Sequence, residues 1–222
     1  MPFYVPPEQL MKDRAEYARK GIARGKSILA VEYDSGILVV AENPSGTLHK
    51  IGEIYDRIAF AGVGKYNEFE ALRVAGVRHA DLKGYAYART DVTAMGLANA
   101  YAQALGQMFT QEVKPYEVEI MVAEVGYTQE ENLLFRITYD GTLFAEDQLS
   151  AIGGQEEQLT TILREKFKPG APLAAAVDWA VEAFQTVNGR TFEPHEWEAA
   201  VVDRSLGRRT FRRLSKDELT RP

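Results

Sequence analysis

Residues Lys26 to Asn43 read KSILAVEYDSGILVVAEN, and this stretch decides the fold. Two β-rich runs, Ser27–Tyr33 and Ile37–Ala41, flank the short polar turn Asp34-Ser35-Gly36. Gly36 offers the turn a residue that tolerates positive φ, so the pair reads as a tight hairpin. Strands with one wet face alternate apolar and polar side chains. These do not: Ile28 and Ala30 point one way, Leu29 and Val31 the other, and Val39 opposes Leu38 and Val40. Such strands are covered on both faces, which puts the hairpin in the middle of a layered fold.

Working outward, Met1–Pro7 is apolar and proline-rich, and Pro2, Pro6 and Pro7 exclude a helix or a central strand there. The next segment is expected to be a helix over residues 8–21. Met11, Ala15, Ala18 and Ile22 recur at helical spacing, and Gly21 is a candidate stop. After the hairpin, Asn43-Pro44-Ser45-Gly46 is a loop, Thr47–Ile51 a weak strand and Tyr55–Val63 a better one. Lys65–Arg78 reads as a helix, Gly84–Tyr87 as a linker, and Thr93–Phe109 as a second helix. Strands are expected over Glu117–Val125, Leu133–Tyr139 and Leu143–Ile152, with Asp140-Gly141 turning between the last two. A helix follows Gly153-Gly154, another runs from Pro172 to Val187, and Trp197–Val202 and Arg209–Leu214 are closing strands. Helices come in adjacent pairs rather than singly between strands, which argues against a doubly wound parallel sheet. The order suits an α+β, four-layer αββα sandwich: two antiparallel sheets face to face, flanked by helix pairs. The chain reads as one domain over 1–222, with a tail at 1–7, a helix at 8–21, the sandwich at 26–214 and a C-terminal tail at 215–222.

The 222 residues are enough for a substantial core, and 45% apolar with 26% charged residues is ordinary for a globular protein. A net charge of −6 argues against a general nucleic-acid binder. Without cysteine there is no disulfide, thiolate metal site or cysteine nucleophile. No apolar run approaches the roughly 20 residues a membrane span needs. The start MPFYVPPEQ has neither the basic region nor the apolar stretch of a signal peptide, so a cytoplasmic location is expected.

Several motifs invite a chemical reading. Gly25-Lys26-Ser27 imitates a phosphate loop, but the position that needs the leading Gly is Lys20, and the motif follows a helix and opens a strand, the reverse of what the cradle requires. Gly62-Val63-Gly64-Lys65 lacks the leading Gly and the Ser/Thr, and suits a strand-to-helix turn. His49, His79 and His195 are scattered without metal spacing, so neither metal nor cofactor is expected. Arg204, Arg208, Arg209, Arg212 and Arg213 alternate with Thr210, Phe211 and Leu214, as in a solvated or interface-facing edge strand. Lys216-Asp217-Glu218-Leu219 spells a retention signal, but such a signal must be C-terminal. Glu42 and Lys50 remain, a carboxylate and an amine near the end of the hairpin, which elsewhere form an ordinary ion pair.

The helix-then-hairpin start, the runs HKIGEIYDRIAFAGVGK and KPYEVEIMVAEV, and LFRITYDGTLFAEDQLSAIGG together resemble α subunits of the proteasome core particle. PPEQLMKDRAEYARKGIARGKS and GYAYARTDVT resemble the actinobacterial branch. The resemblance spans about Pro7 to Leu214. It implies the N-terminal-nucleophile hydrolase sandwich and a heptameric α ring stacked on β subunits, which are threonine peptidases. It places Lys26 where β subunits carry the nucleophile, Glu42 at their acidic position and Lys50 at their lysine. The chain is therefore expected to have no catalytic residue, with a helix-bearing extension ahead of Lys26.

In α subunits the lysine matching Lys50 lines a pocket between neighbours that receives the terminal carboxylate of a ring-shaped activator ATPase. The N-terminal tails close the axial pore, so Phe3, Tyr4 and Val5 are the expected gate. The expected partners are β subunits, further copies of the chain, the activator, and protein substrates in transit, with no nucleic acid or membrane. The start lacks the Tyr-Asp-Arg motif of archaeal and eukaryotic tails, so their gate geometry does not carry over. Two rival readings are an active hydrolase processed before Ser27 and a nucleotide-binding protein.

Overall fold

The hairpin forms as β1 (Ile28–Tyr33) and β2 (Gly36–Glu42), joined by a two-residue turn at Asp34 and Ser35. A computed structural model of the chain describes residues 6–219. The elements that follow are β3 (Ile51–Tyr55), β4 (Ile58–Gly64), β5 (Val118–Glu124), β6 (Leu133–Ile137), β7 (Leu143–Glu146), β8 (Leu149–Ile152), β9 (Trp197–Asp203) and β10 (Phe211–Arg213). Helices are α1 (Pro7–Ala23), α2 (Tyr66–Ala86), α3 (Ala94–Gln111), α4 (Glu156–Lys166), α5 (Leu173–Asn188) and the short α6 (Lys216–Leu219). Two five-stranded sheets result, in the orders β10-β9-β2-β1-β8 and β3-β4-β5-β6-β7, antiparallel throughout.

Both faces of the hairpin are buried, as its sequence requires. Leu29, Val31, Leu38 and Val40 pack under α4 and α5, against Leu159, Leu163, Val177 and Phe184. Ile28, Ala30, Ile37 and Val39 face the second sheet, meeting Ala59, Ala61, Met121 and Ala123. The outer face of the second sheet, with Phe60, Ile120, Val122 and Phe135, is covered by Phe69 and Leu72 of α2 and by Leu97, Tyr101 and Leu105 of α3. Each of the larger aliphatics contributes roughly 1.5–3 kcal/mol through burial. The four layers are those expected. Helix α1 closes one end of the sandwich, burying Ala18 and Ile22 in the intersheet core.

The boundaries differ from expectation where tertiary contacts decide them. Helix α1 starts at Pro7, which is tolerated in a first turn. It passes through Gly21 because the missing side chain leaves room for Glu117, whose atoms would lie 2.4–2.7 Å from an added Cβ. The expected linker at 84–87 is largely helical: Gly84 lies against the Tyr55 hydroxyl, and α2 continues to Ala86. The weak strand expected at Thr47–Ile51 begins only at Ile51, because residues 43–50 fold around Asn43 and Ser45. Leu143–Ile152 is two strands in different sheets, broken where Gln148 takes φ 63°. Within the C-terminal tail, α6 buries Leu219 in the outer core of the first sheet.

At the same end as α1, Glu119 on β5 links the sheets. It accepts the Gly153 N–H at 3.1 Å and pairs with Arg136 at 3.2 Å, while Arg136 also meets Glu146 and Glu156. Burial pushes the Glu119 carboxyl up to about 7.

Gly36 does not have the positive φ expected of it; it is a strand residue. Its need is steric, since a Cβ there would lie 2.0 Å from the Val202 carbonyl oxygen on β9. Gly36→Ala is expected to cost about 2–3 kcal/mol by forcing β2 from β9; denaturant unfolding at unchanged m-value checks it.

Candidate functional site

An antiparallel hairpin brings the start of its first strand beside the end of its second. Lys26, just ahead of β1, therefore sits next to Glu42, the last residue of β2. Lys26 Nζ lies 3.0 Å from Glu42 Oε1. Glu42 is only 3% exposed, and Arg190, beyond α5, reaches the same oxygen at 3.0 Å. Two cations thus neutralise one buried carboxylate, with Arg190 also held by Glu196 at 2.9 Å.

Lys50 arrives from the loop between β2 and β3. Its ammonium donates to the backbone carbonyl of Lys26 at 2.8 Å. Sequence reasoning paired Glu42 with Lys50; the structure gives Glu42 to Lys26 and Arg190 and aims Lys50 at the main chain. Burial lowers the Lys50 pKa to about 8, against the opposing pull of Glu42 and Glu198, with Lys26 adding to the depression.

The residue that organises this loop is Glu198 on β9, which sequence reasoning missed. It is 8% exposed, and its Oε2 accepts from Asn43 Nδ2 at 2.7 Å and from the Lys50 N–H at 2.8 Å. Its Oε1 accepts from Arg213 at 2.8 Å and the Ile51 N–H at 3.2 Å, and lies 3.3 Å from His49 Nδ1. Asn43 also donates to the Leu48 carbonyl at 2.7 Å and accepts the Ser45 N–H at 3.1 Å. The loop presenting Lys50 is thus wound on a buried anion. The one signal was a carboxylate at the second position of Trp197–Val202, in an otherwise apolar strand.

The remaining candidates are accounted for by position. Ser27 is 2% exposed, and its Oγ accepts the Gln155 N–H at 3.3 Å. In the second loop imitation, Gly64 has φ 108° and turns β4 into α2; a Cβ there would lie 1.9 Å from the Glu117 carbonyl oxygen. Among the described residues no group of three potential metal ligands occurs, and no helix is long and apolar enough to cross a membrane. Arg209 pairs with Glu53, Arg212 with Glu218 and Arg213 with Glu198. Phe3, Tyr4 and Val5 lie outside the described residues.

Two antiparallel five-stranded sheets face to face between helix layers are the sandwich of the N-terminal-nucleophile hydrolase fold. Comparison with known proteins narrows the class. The family described as proteasome subunit matches residues 22–202, and the chain belongs to that family. It is similar to the proteasome subunit alpha of Thermomonospora curvata, 56% identical over 215 residues that cover 96% of this chain and 94% of that protein. The proteasome subunit alpha of Streptosporangium roseum is 55% identical over 222 residues, covering 100% of this chain and 86% of its own length. That of Xylanimonas cellulosilytica is 56% identical over 230 residues, covering 99% and 94%.

Glu198→Ala is expected to cost about 2–3 kcal/mol, because two backbone N–H groups and the Asn43 amide lose their shared acceptor. Hydrogen exchange should show the Lys50 and Ile51 amides losing protection; unchanged protection would contradict the role given to Glu198.

Proposed function

We propose that the chain is a non-catalytic α subunit of a cytoplasmic proteasome core particle. It forms an outer heptameric ring on β subunits, controls access of protein substrates through its tails, and docks a ring-shaped activator ATPase at Lys50. The observation that carries this reading is the arrangement at the hairpin mouth. Lys26, which the reading sets at the nucleophile's position, holds Glu42, while Lys50 is half-buried and donates to the Lys26 carbonyl. The buried Ser27 hydroxyl and the packing of α1 into the intersheet core favour this reading over a hydrolase processed before Ser27. The ion-paired Lys26 and the strand that follows it favour it over nucleotide binding.

A terminal carboxylate meeting Lys50 makes a charge-assisted hydrogen bond, worth roughly 1.5–3 kcal/mol, and the ring repeats it. Lys50→Ala is therefore expected to abolish activator-stimulated degradation, leaving ring assembly and short-peptide hydrolysis intact. Poor assembly with normal activator affinity would instead mark a structural ion pair.

The depressed pKa fixes a sign. At neutral pH the buried ammonium costs the fold stability, and that cost is relieved as pH rises from about 8 towards the ordinary lysine range. Docking needs the charged form, so activator affinity should fall as pH rises through about 8. Lys50→Arg, whose charge persists, should flatten the profile if its longer side chain still engages the carboxylate. Lys50→Met should match or exceed wild-type stability while losing docking.

Phe3, Tyr4 and Val5 are proposed as the gate. Six extended residues reach at most about 20 Å, and copies meeting on one axis can bury their apolar side chains together. Deleting residues 2–6 should raise short-peptide hydrolysis by the assembled particle without activator; unchanged turnover in a normally assembled particle would exclude the tail as gate.

A further inference from the structure

At the end of the sandwich opposite Lys26, a cleft of about 690 Å³ opens between the β3–β4 turn, the loop after β5 and the segment after β9. Its volume lies within the range of small-molecule sites. Tyr55, Ile58, Val92 and Tyr127 supply apolar and aromatic wall. Both tyrosine rings lie beneath guanidinium groups, Arg57 at 4.2 Å from the Tyr127 centroid and Arg89 at 4.8 Å from that of Tyr55. Tyr127 is 73% exposed, so much of its ring stays accessible to a ligand despite the Arg57 guanidinium on it.

The charges in the cleft are unequally used. Asp56 is taken by Arg89, in two bonds of 2.9 and 2.5 Å. Glu124 accepts the Ala94 N–H at 2.6 Å, and Glu131 those of Tyr127 and Thr128 at 2.8 and 3.1 Å. Arg57 and Arg204 are satisfied by neutral oxygens. Arg57 donates to the carbonyls of Val125 and Gly126 at 2.8 and 2.6 Å. Arg204 donates to those of Gly126, Thr128 and Asp34 and to Asn132 Oδ1. Two like charges therefore converge on the single oxygen of Gly126. The bonds of Arg57 use Nε and Nη2, leaving Nη1 for a ligand. Arg208, 77% exposed and 3.9 Å from Asp56, is a further cation at the rim. Guanidinium pairs of this kind match carboxylate or phosphate groups.

We propose that this cleft binds a small organic anion with a flat apolar body, its carboxylate or phosphate on Arg57 and its body against Tyr127. The site is independent of the docking proposed at Lys50, which lies at the other end of the hairpin.

The assembled particle would be titrated with 8-anilinonaphthalene-1-sulfonate, followed by fluorescence, beside the uncharged N-phenyl-1-naphthylamine. The expected result is saturable binding of the sulfonate, with the neutral probe at least about tenfold weaker, as loss of a charge-assisted bond implies. Tyr127→Ala and Arg57→Met should each weaken the sulfonate about tenfold or more. Tyr127 is a surface side chain, so its variant keeps the test valid if Arg57→Met misfolds. Displacement by 2-naphthoate or by 2-naphthyl phosphate supports the site and tells which head group it prefers. Equal affinity for the two probes, no saturable binding, an unaltered affinity in Tyr127→Ala, or no displacement by either competitor would overturn the proposal.

Discussion

The structure depends on one constraint: the β1–β2 hairpin has no face that water can accept. Leu29, Val31, Leu38 and Val40 demand cover on one side, and Ile28, Ala30, Ile37 and Val39 on the other. Helices α4 and α5 satisfy the first demand and the second sheet the second. That sheet is then left with an apolar outer face, which α2 and α3 cover. The layers follow from the hairpin outward. So does the site, since antiparallel pairing sets Lys26 and Glu42 side by side at the mouth.

Electrostatics at that mouth decide which side chains the buried carboxylate takes as partners. A buried Glu42 needs positive charge, and here Lys26 and Arg190 supply it. Lys50 is thereby freed from direct pairing with Glu42 and turns to the Lys26 carbonyl. Glu198 fixes the loop behind it from below. The result is an amine held by the Lys26 main chain and lowered in pKa by its burial. Residues that cost stability in this way are often held for binding. In the proposed reading the bound group is a terminal carboxylate.

The layers and their order were legible in the sequence because two-sided apolar strands and paired amphipathic helices leave few alternatives. The places where reading failed have tertiary causes. Nothing local marks Gln148 as the point where the chain leaves one sheet for the other, so β7 and β8 read as one strand. Gly21 and Gly84 look like punctuation, yet each is a close contact, with Glu117 and Tyr55, inside a continuing helix. Gly36 looks like a turn residue and is needed for its distance from β9. At the site, the family resemblance pointed to Lys26, Glu42 and Lys50, but which lysine holds the carboxylate depends on side-chain direction. Glu198 and Arg213 are brought to the loop by strands about 150 residues later in the chain, beyond any local pattern.

In the proposed reading Lys50 is a partly desolvated amine that receives a carboxylate. Competitive acetylation of the assembled ring across pH, read at Lys50 by peptide mass spectrometry, measures its titration directly. It would be run alone, with the activator's C-terminal peptide as the free acid, and with the same peptide amidated. A midpoint near pH 8 that moves upward with the free acid and stays with the amide is the expected result. A midpoint in the ordinary lysine range, or one indifferent to the free acid, would contradict the claim.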